Sequence, residues 1–317
     1  MVFLFMILII SKIIDYSTQD VINWLEYRAI EYIRLNKEDK VNLSYIGDDV
    51  IFRFASNSFK LSQISSVWFR RGYINDNLLS DKEYMNTNYS DFITFLELEE
   101  EHLKQYLYFQ LSKKKHLNTF STNYINKLIV SDVAKDIGLK IPKTYLINNK
   151  KSFDNLKDQG KLITKTIYGN PVITINGERE FMYTTVIDKI EDDEFFPSIF
   201  QEYIDKKYEL RVFYIDGDFY SMAIFSQNDA TTKVDFRDYN YEKPNRTVPF
   251  KLPSIIEDKL KVLMEKINLN CGSIDIIVTK NNDYVFLEVN PVGQFGMVSY
   301  PCNYNLEEKI AKYLTVK

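Results

Sequence analysis

Two carboxylates and an amide near the C-terminus concentrate the chemistry of this 317-residue chain. Asp275 stands in the apolar run 272–278. Glu288 and Asn290 stand in the run 284–290, and Lys280-Asn281-Asn282-Asp283 separates the two. Apolar runs around a short polar turn predict a β-hairpin with Asn281-Asn282 at its tip, since asparagine tolerates the positive φ of a tight turn. Pairing Lys280 with Asp283 sets a register in which Asp275 lies opposite Glu288, and alternation puts Asn290 on the face of Glu288. Like charges directly opposite each other cost about 0.2–1 kcal/mol, so something should offset them. Oxygen donors of this kind suit Mg²⁺, which completes its shell with water and nucleotide phosphates. Asp275 alone would read as a polar residue on a wet face. The three residues together, followed by Pro291 and a glycine-bearing loop, read as a cation site.

A carboxylate-held cation usually serves phosphates, so cationic side chains should be near it. Lys127 opens a predicted helix. Lys165 lies in an apolar strand, where an unpaired ammonium is costly to bury, or else on the open face of its sheet. Glu209 and Arg211, two apart on one strand, share a face. Glu209 could take a ribose hydroxyl or pair with a lysine, and Arg211 could hold a transferring phosphate. Neither a Walker phosphate loop nor a dinucleotide glycine fingerprint occurs. With only His102, His116, Cys271 and Cys302, there is no histidine triad, zinc spacing or disulfide framework. Such cysteine usage fits a reducing cytoplasm. A net charge of −4 argues against a general nucleic-acid binder.

The elements that would position these residues follow in order. The first fourteen residues are apolar but too short to span a bilayer and lack a cleavage signal. Residues 6–10 read as a buried strand, with 1–5 an upstream extension and Met6 a natural start. Ser17 or Thr18 should cap a helix bearing Val21, Trp24 and Leu25. Residues 41–69 alternate as strands and end before Arg70-Arg71, a pair that could face a phosphate, a carboxylate or solvent. Residues 89–110 are helical, with Phe92, Phe95, Leu96, Leu103 and Leu107 on one side; Glu97, Glu99, Glu100 and Glu101 read as a solvated face. A second helix, 125–137, follows Ser121-Thr122-Asn123 and ends at Gly138. Short strands near 161–167, 171–175 and 181–187 make a small sheet. Asp216-Gly217 turns a hairpin between 199 and 225. The polar stretch 228–250 is a long loop of the kind that is functional or disordered. Helices near 254–268 and 306–314 complete the chain.

The motifs "GLKIPKT", "QEYIDKKYELRVFYIDGDFYSMAI" and "GSIDIIV…VFLEVNPVGQF" resemble ATP-grasp carboxylate–amine ligases over roughly residues 120–317. More narrowly, "VWFRRGYI", "KYELRVFYIDG", "IFSQ", "DFRDYN" and "LEVNPVGQFGMVSYPCNYNLEEKIA" look like the maturases of graspetides, the microviridin-type ω-ester and ω-amide peptides, and are most similar to the grasp-with-spasm group. The resemblance implies an α/β (α+β) ATP-grasp fold. Its parts would be an N-terminal α/β pre-grasp domain (1–119) that helps recognise a leader peptide, a small central lobe (120–195) and a C-terminal antiparallel-sheet lobe (196–317). It also implies roles. Lys127 and Lys165 would contact ATP phosphates. Gln201, Glu202 and Tyr203 would form the adenine hinge, the last two through their backbone, and Glu209 would face the ribose. Arg211 would hold the phosphate or acyl phosphate, and Arg237 would orient substrate carboxylate or phosphate. Asp275, Glu288 and Asn290 would bind Mg²⁺. Gly72 departs from a proline expected in many relatives and should soften its loop.

The expected activity is therefore ATP-dependent closure of ω-ester or ω-amide links in a ribosomally made precursor peptide with a leader, by a cytoplasmic homodimer without nucleic-acid or membrane partners. An acyl phosphate supplies the leaving group that a carboxylate lacks, and water must be excluded from it. Residues 140–190 and the loop 228–248 would be the lids. Two alternatives are an intermolecular ligase that adds an amino acid to a protein or small acid, and a nucleotide-binding module without turnover.

Overall fold

The apolar start forms a strand buried along its whole length, β1 (Met6–Ser11), in a computed structural model that describes residues 6–47, 49–76, 90–169, 172–175, 177–227 and 244–315. The chain divides into two compact units, Met1–Asn123 with Asn305–Lys317, and Tyr124–Tyr304. The first continues with α1 (Tyr16–Tyr27), β2 (Tyr32–Asn36), β3 (Lys40–Ile46), β4 (Asp49–Phe54), β5 (Asn57–Lys60), β6 (Ile64–Phe69), β7 (Asn75–Asp76), α2 (Ser90–Ser112) and β8 (Lys115–Leu117). One sheet, β2-β1-β6-β8, is parallel throughout. Its central strand is covered on both faces, which accounts for a continuous apolar run rather than an alternating one. A second sheet runs β5-β4-β3-β7.

Three local expectations change here. Helix α1 starts at Tyr16, and its N-cap residue Asp15 makes no capping bond. The Thr18 hydroxyl is spent on Ser11 Oγ at 2.9 Å. The Asp15 carboxylate takes the Nε of both Arg70 and Arg71, at 3.2 Å each, so the arginine pair faces a carboxylate. Gly72 has φ +75, and a Cβ there would press on Lys37 and the Ser11 carbonyl. A proline, locked near φ −65°, cannot adopt that conformation, so the glycine is required rather than softening. Of the acidic residues on α2, Glu100 is not simply solvated: it pairs with Lys104, which also reaches Asp76 at 3.0 Å.

The second unit holds α3 (Lys127–Asp136), β9 (Thr144–Asn149), α4 (Lys150–Lys157), β10 (Leu162–Lys165), β11 (Val172–Ile175), β12 (Glu178–Phe181), β13 (Thr185–Ile187), β14 (Glu194–Glu202), β15 (Lys206–Ile215), β16 (Asp218–Phe225), β17 (Arg246–Phe250), α5 (Ser254–Lys266), β18 (Cys271–Thr279), β19 (Tyr284–Asn290) and α6 (Gly296–Cys302). A small antiparallel sheet, β13-β10-β14-β9, closes on Phe153, Leu162 and Phe200. Strand β14 therefore crosses the expected boundary at 195/196. A five-stranded antiparallel sheet, β17-β16-β15-β18-β19, packs one face against α3 and α5. Asp216 and Gly217 both have positive φ between β15 and β16, as a primed hairpin turn needs. The last helix, α7 (Leu306–Thr315), belongs to the first unit, where the Leu314 carbonyl accepts from Ser66 Oγ at 2.8 Å. No described helix is long and apolar enough to cross a membrane.

Candidate functional site

Asp275 does lie opposite Glu288, though not because Lys280 pairs with Asp283. The turn is wider: the last paired residues are Val278 and Tyr284, and Thr279 N–H donates to the Asp283 carbonyl at 3.0 Å. From that end the pairing runs Val278–Tyr284, Ile277–Val285 and Ile276–Phe286. A β-bulge at Leu287 then restores Asp275–Glu288, Ile274–Val289 and Ser273–Asn290. The bulge changes which face each side chain takes. Phe286 and Val289 are three apart, yet both join the core with Ile274, Ile276 and Val278. Without the bulge, Glu288 would share the core face of Phe286. With it, Leu287, Glu288, Asp275 and Ile277 all line one cleft.

A second bulge acts on β15. Its register shifts between Lys206 and Tyr208, so Lys206 reaches the face of Glu209 although the two are three apart. Lys206 Nζ donates to Glu209 Oε1 at 2.5 Å, and Ser226 Oγ donates to the same oxygen at 3.0 Å. Both members of the ion pair are buried. Burial pushes the Glu209 carboxyl above the ordinary range, against the pull of Lys206 and Ser226. Lys206 was missed from the sequence because strict alternation places it on the other face.

Arg211 is the direct cross-strand neighbour of Asp275. Its Nη1 donates to Oδ1 at 2.7 Å and Oδ2 at 2.5 Å. Lys127 Nζ lies 3.2 Å from Glu288 Oε2, and Lys165 Nζ lies 4.0 Å from the same oxygen. The repulsion between the paired carboxylates is thus offset by three cations. Asn126 caps α3, accepting from Leu128 and Ile129 N–H, and thereby fixes the turn that carries Lys127. Lys127 Nζ also donates to the Gly169 carbonyl at 3.3 Å. Lys165 ends β10 and is mostly buried beside Glu288 rather than on an open sheet face.

This arrangement fits a phosphate with a hard cation. Arg211 Nε is buried and has no hydrogen-bond partner among the described residues, so the guanidinium keeps a donor for a further acceptor. Asp275 and Glu288 present oxygen donors from adjacent strands, and Asn290 follows two residues on. Its side-chain oxygen caps the Val292 N–H at 3.1 Å, which leaves a lone pair on a carbonyl that has two. Among the described residues no three His, Cys, Asp or Glu side chains cluster as a metal site. An oxygen set of two carboxylates and one amide is consistent with that.

The cleft opens to solvent, and the space in and before it amounts to about 710 Å³. Pro142, Ile163, Ile204, Ile277 and Leu287 give it apolar walls, and Gln201, Glu202 and Tyr203 line it together with Lys165, Glu209, Asp275 and Glu288. The backbone N–H groups of Glu202 and Tyr203 already donate to the carbonyls of Lys143 and Lys161, at 3.0 and 2.9 Å. These two residues can therefore offer a ligand only their carbonyl oxygens from the backbone. Gln201 is buried and donates to Thr144 Oγ1 at 2.8 Å. Arg237 and most of the loop 228–248 lie outside the described residues.

A model of the RimK-like ATP-grasp domain matches residues 125–314. Among solved structures, the chain is similar to the macrocyclase MdnC of Microcystis aeruginosa MRC, bound with precursor peptide MdnA. Identity is 26%, coverage is 98% of this chain and 99% of that one, and the TM-score is 0.75. The RiPP-associated ATP-grasp ligase of Chryseobacterium gregarium, in complex with ADP and a leader and core peptide, is 23% identical over 98% and 95% of the two chains, with a TM-score of 0.76. The ATP-grasp ligase PsnB, complexed with minimal precursor, Mg and ADP, is 17% identical over 97% and 96%, with a TM-score of 0.68. No curated protein matches the chain.

Proposed function

Because the chain belongs to the RimK-like ATP-grasp family, and is accordingly an ATP-dependent ligase, we propose that it closes macrocycles in a ribosomally made precursor peptide. The observation that carries this reading is end-to-end likeness to a peptide macrocyclase at 26% identity, joined to a cleft whose two facing carboxylates, Asp275 and Glu288, are paired with Arg211, Lys127 and Lys165. A side-chain carboxylate of the peptide attacks the γ-phosphorus of ATP, giving an acyl phosphate and ADP. A Thr or Ser hydroxyl, or a Lys amine, of the same peptide then attacks the acyl carbon. Phosphate leaves with the C–O bond electrons, and the nucleophile gives up its proton, so each ring costs one water.

Each residue's part follows from its place. Lys127 and Lys165 exchange Glu288 for the phosphates. Arg211 reaches the transferring phosphoryl group through Nε while Nη1 stays on Asp275. The Glu209 bonds to Lys206 and Ser226 both fall on Oε1, and Oε2 takes the ribose hydroxyl. The Glu202 and Tyr203 carbonyls receive the adenine amino group beside Gln201, while a backbone donor to the ring comes from a neighbour such as Ile204. Asp275, Glu288 and Asn290 hold Mg²⁺, whose charge neutralises phosphate oxygens when bound. Arg237 orients the substrate carboxylate. Leu287 and Ile277 keep the cleft floor apolar and exclude water. The enzyme works in the cytoplasm, where its two buried thiols stay reduced, and it acts as a homodimer. We read the three lobes as divisions of function, with β14 counted wholly to the small central lobe, whose sheet it joins.

Incubation with ATP, Mg²⁺ and the peptide encoded beside its gene should release ADP and lower the peptide mass by one water per ring. A mass gain instead identifies an intermolecular ligase. Nucleotide binding without ADP release identifies a binding module.

A further inference from the structure

Lys206 is an ammonium almost wholly removed from water, with 3% of its side chain exposed. The register shift at the start of β15 puts it there. Lys207 takes the extra position of the bulge, and its Nζ reaches Asn282 Oδ1 at the hairpin tip, at 3.1 Å. Lys206 instead lines the cleft beside Glu209. An ion pair taken out of water gains little net stability, because desolvation offsets the attraction. Stability alone therefore does not account for this pair.

The hydrogen bonds around Glu209 supply a different reason. Lys206 Nζ and Ser226 Oγ both donate to its Oε1. Gln227 Nε2 donates to Ser226 Oγ at 3.2 Å, so the serine keeps its own proton for the carboxylate. Two donors on one oxygen restrict rotation of the carboxylate, and Oε2 accepts no hydrogen bond among the described residues. The nearest other cation on that strand face, Arg211, has Nη1 committed to both oxygens of Asp275. Asp275 in turn repels the Glu209 charge. Without Lys206, burial and Asp275 would both disfavour the charge that makes Glu209 a strong acceptor for a hydroxyl. We propose that Lys206 is a positioning residue that acts through Glu209: it keeps the carboxylate charged and aimed, so that the cleft selects a nucleotide whose ribose carries free hydroxyls. The ligand class is a ribonucleoside di- or triphosphate. This rests on the nucleotide site proposed above and adds the residue that sets its sugar selectivity.

Calorimetric titration of the full chain in Mg²⁺ should show ADP binding about ten-fold or more tighter than 2′,3′-dideoxy-ADP, the scale of one hydrogen bond to a charged acceptor. Lys206→Met should bind ADP no better than the dideoxy analogue, while its affinity for the analogue stays at the wild-type value. In a Glu209→Gln background the same substitution should change the ratio by less than it does alone, as expected of residues that act together. Ser226→Ala keeps the ion pair and takes one donor from Oε1, so it should lower the ratio by a smaller factor; it carries the test where Lys206→Met does not fold. Equal binding of the two nucleotides by the wild type, equal weakening of both by Lys206→Met, or a ratio untouched by either substitution would overturn the assignment and leave the nucleotide site in place. A wild type that binds neither nucleotide would remove the site itself, and the ligase reading with it.

Discussion

Glu288 holds two lysines, at 3.2 and 4.0 Å, and faces Asp275 across the hairpin, so its charge matters more to ligands than to the fold. Glu288→Gln should lower turnover by about 100-fold or more, the scale of losing one preorganised charged contact. Glutamine has the same size and still offers an oxygen to the largely buried Lys127 and Lys165, so the protein should keep a cooperative thermal transition. A collapsed thermal transition would make Glu288 structural instead. Glu209 gives a prediction in pH. Its folded pKa is raised by burial, so the folded state binds its proton more tightly than the unfolded state does. Its contribution is fully present below the unfolded value, about 4.3, and is lost as pH rises through the folded one. Melting temperatures of the ligand-free protein should carry that downward component, and Glu209→Gln should lack it. Parallel pH profiles for the two proteins would refute the assignment.

At the scale of elements, the proposed phosphate grip depends on how helices and strands begin and bend. The first turn of α3 carries Lys127 and is held by the Asn126 cap. Asn126→Ala should cost about 1 kcal/mol, a midpoint drop of about 2–4 °C. It should also raise the KM for ATP several-fold, because the lysine loses its fixed origin. An unchanged KM with the same thermal loss would separate the cap from the site. The bulges at Lys207 and Leu287 are the other devices: each changes the face of one charged side chain without interrupting the apolar face beneath. The loop after β19 is pinned by Gly293, where a Cβ would overlap the buried Ser273 side chain. The turn that follows Asn290 therefore has no room for a larger residue.

For the whole molecule, the cleft of the second unit is where ligand binding meets the stability of the fold. The cleft should couple ligand to stability. At 100 times its Kd, ADP with Mg²⁺ should add about 2.7 kcal/mol, and a chelator should remove the part contributed by the cation. An ADP-induced rise in melting temperature that is identical with and without chelator would remove Mg²⁺ from the site as drawn. Cys271 and Cys302 are both buried thiols, so no disulfide adds to the melting behaviour.

Much of this protein was legible from residue order because the signals are local. The apolar run of β1, the Asp216-Gly217 turn, the shared face of Glu209 and Arg211, and the chemistry of Asp275, Glu288 and Asn290 follow from side-chain type and a period of two. The ATP-grasp family was legible from motifs over roughly residues 120–317. What tertiary structure decided is where that period breaks. Asp275 faces Glu288 only because a wider turn and a bulge at Leu287 each shift the register by one, and the two shifts cancel in a count from the sequence. Lys206 joins Glu209 through a bulge of the same kind. Asp15 could be matched with Arg70 and Arg71, Arg211 with Asp275, and Lys127 with Glu288 only in three dimensions, because each pair is brought together by contacts between segments far apart in the chain. Which carboxylate balances which cation is a property of the packed sheet. The kinds of groups that needed balancing were already written in the sequence.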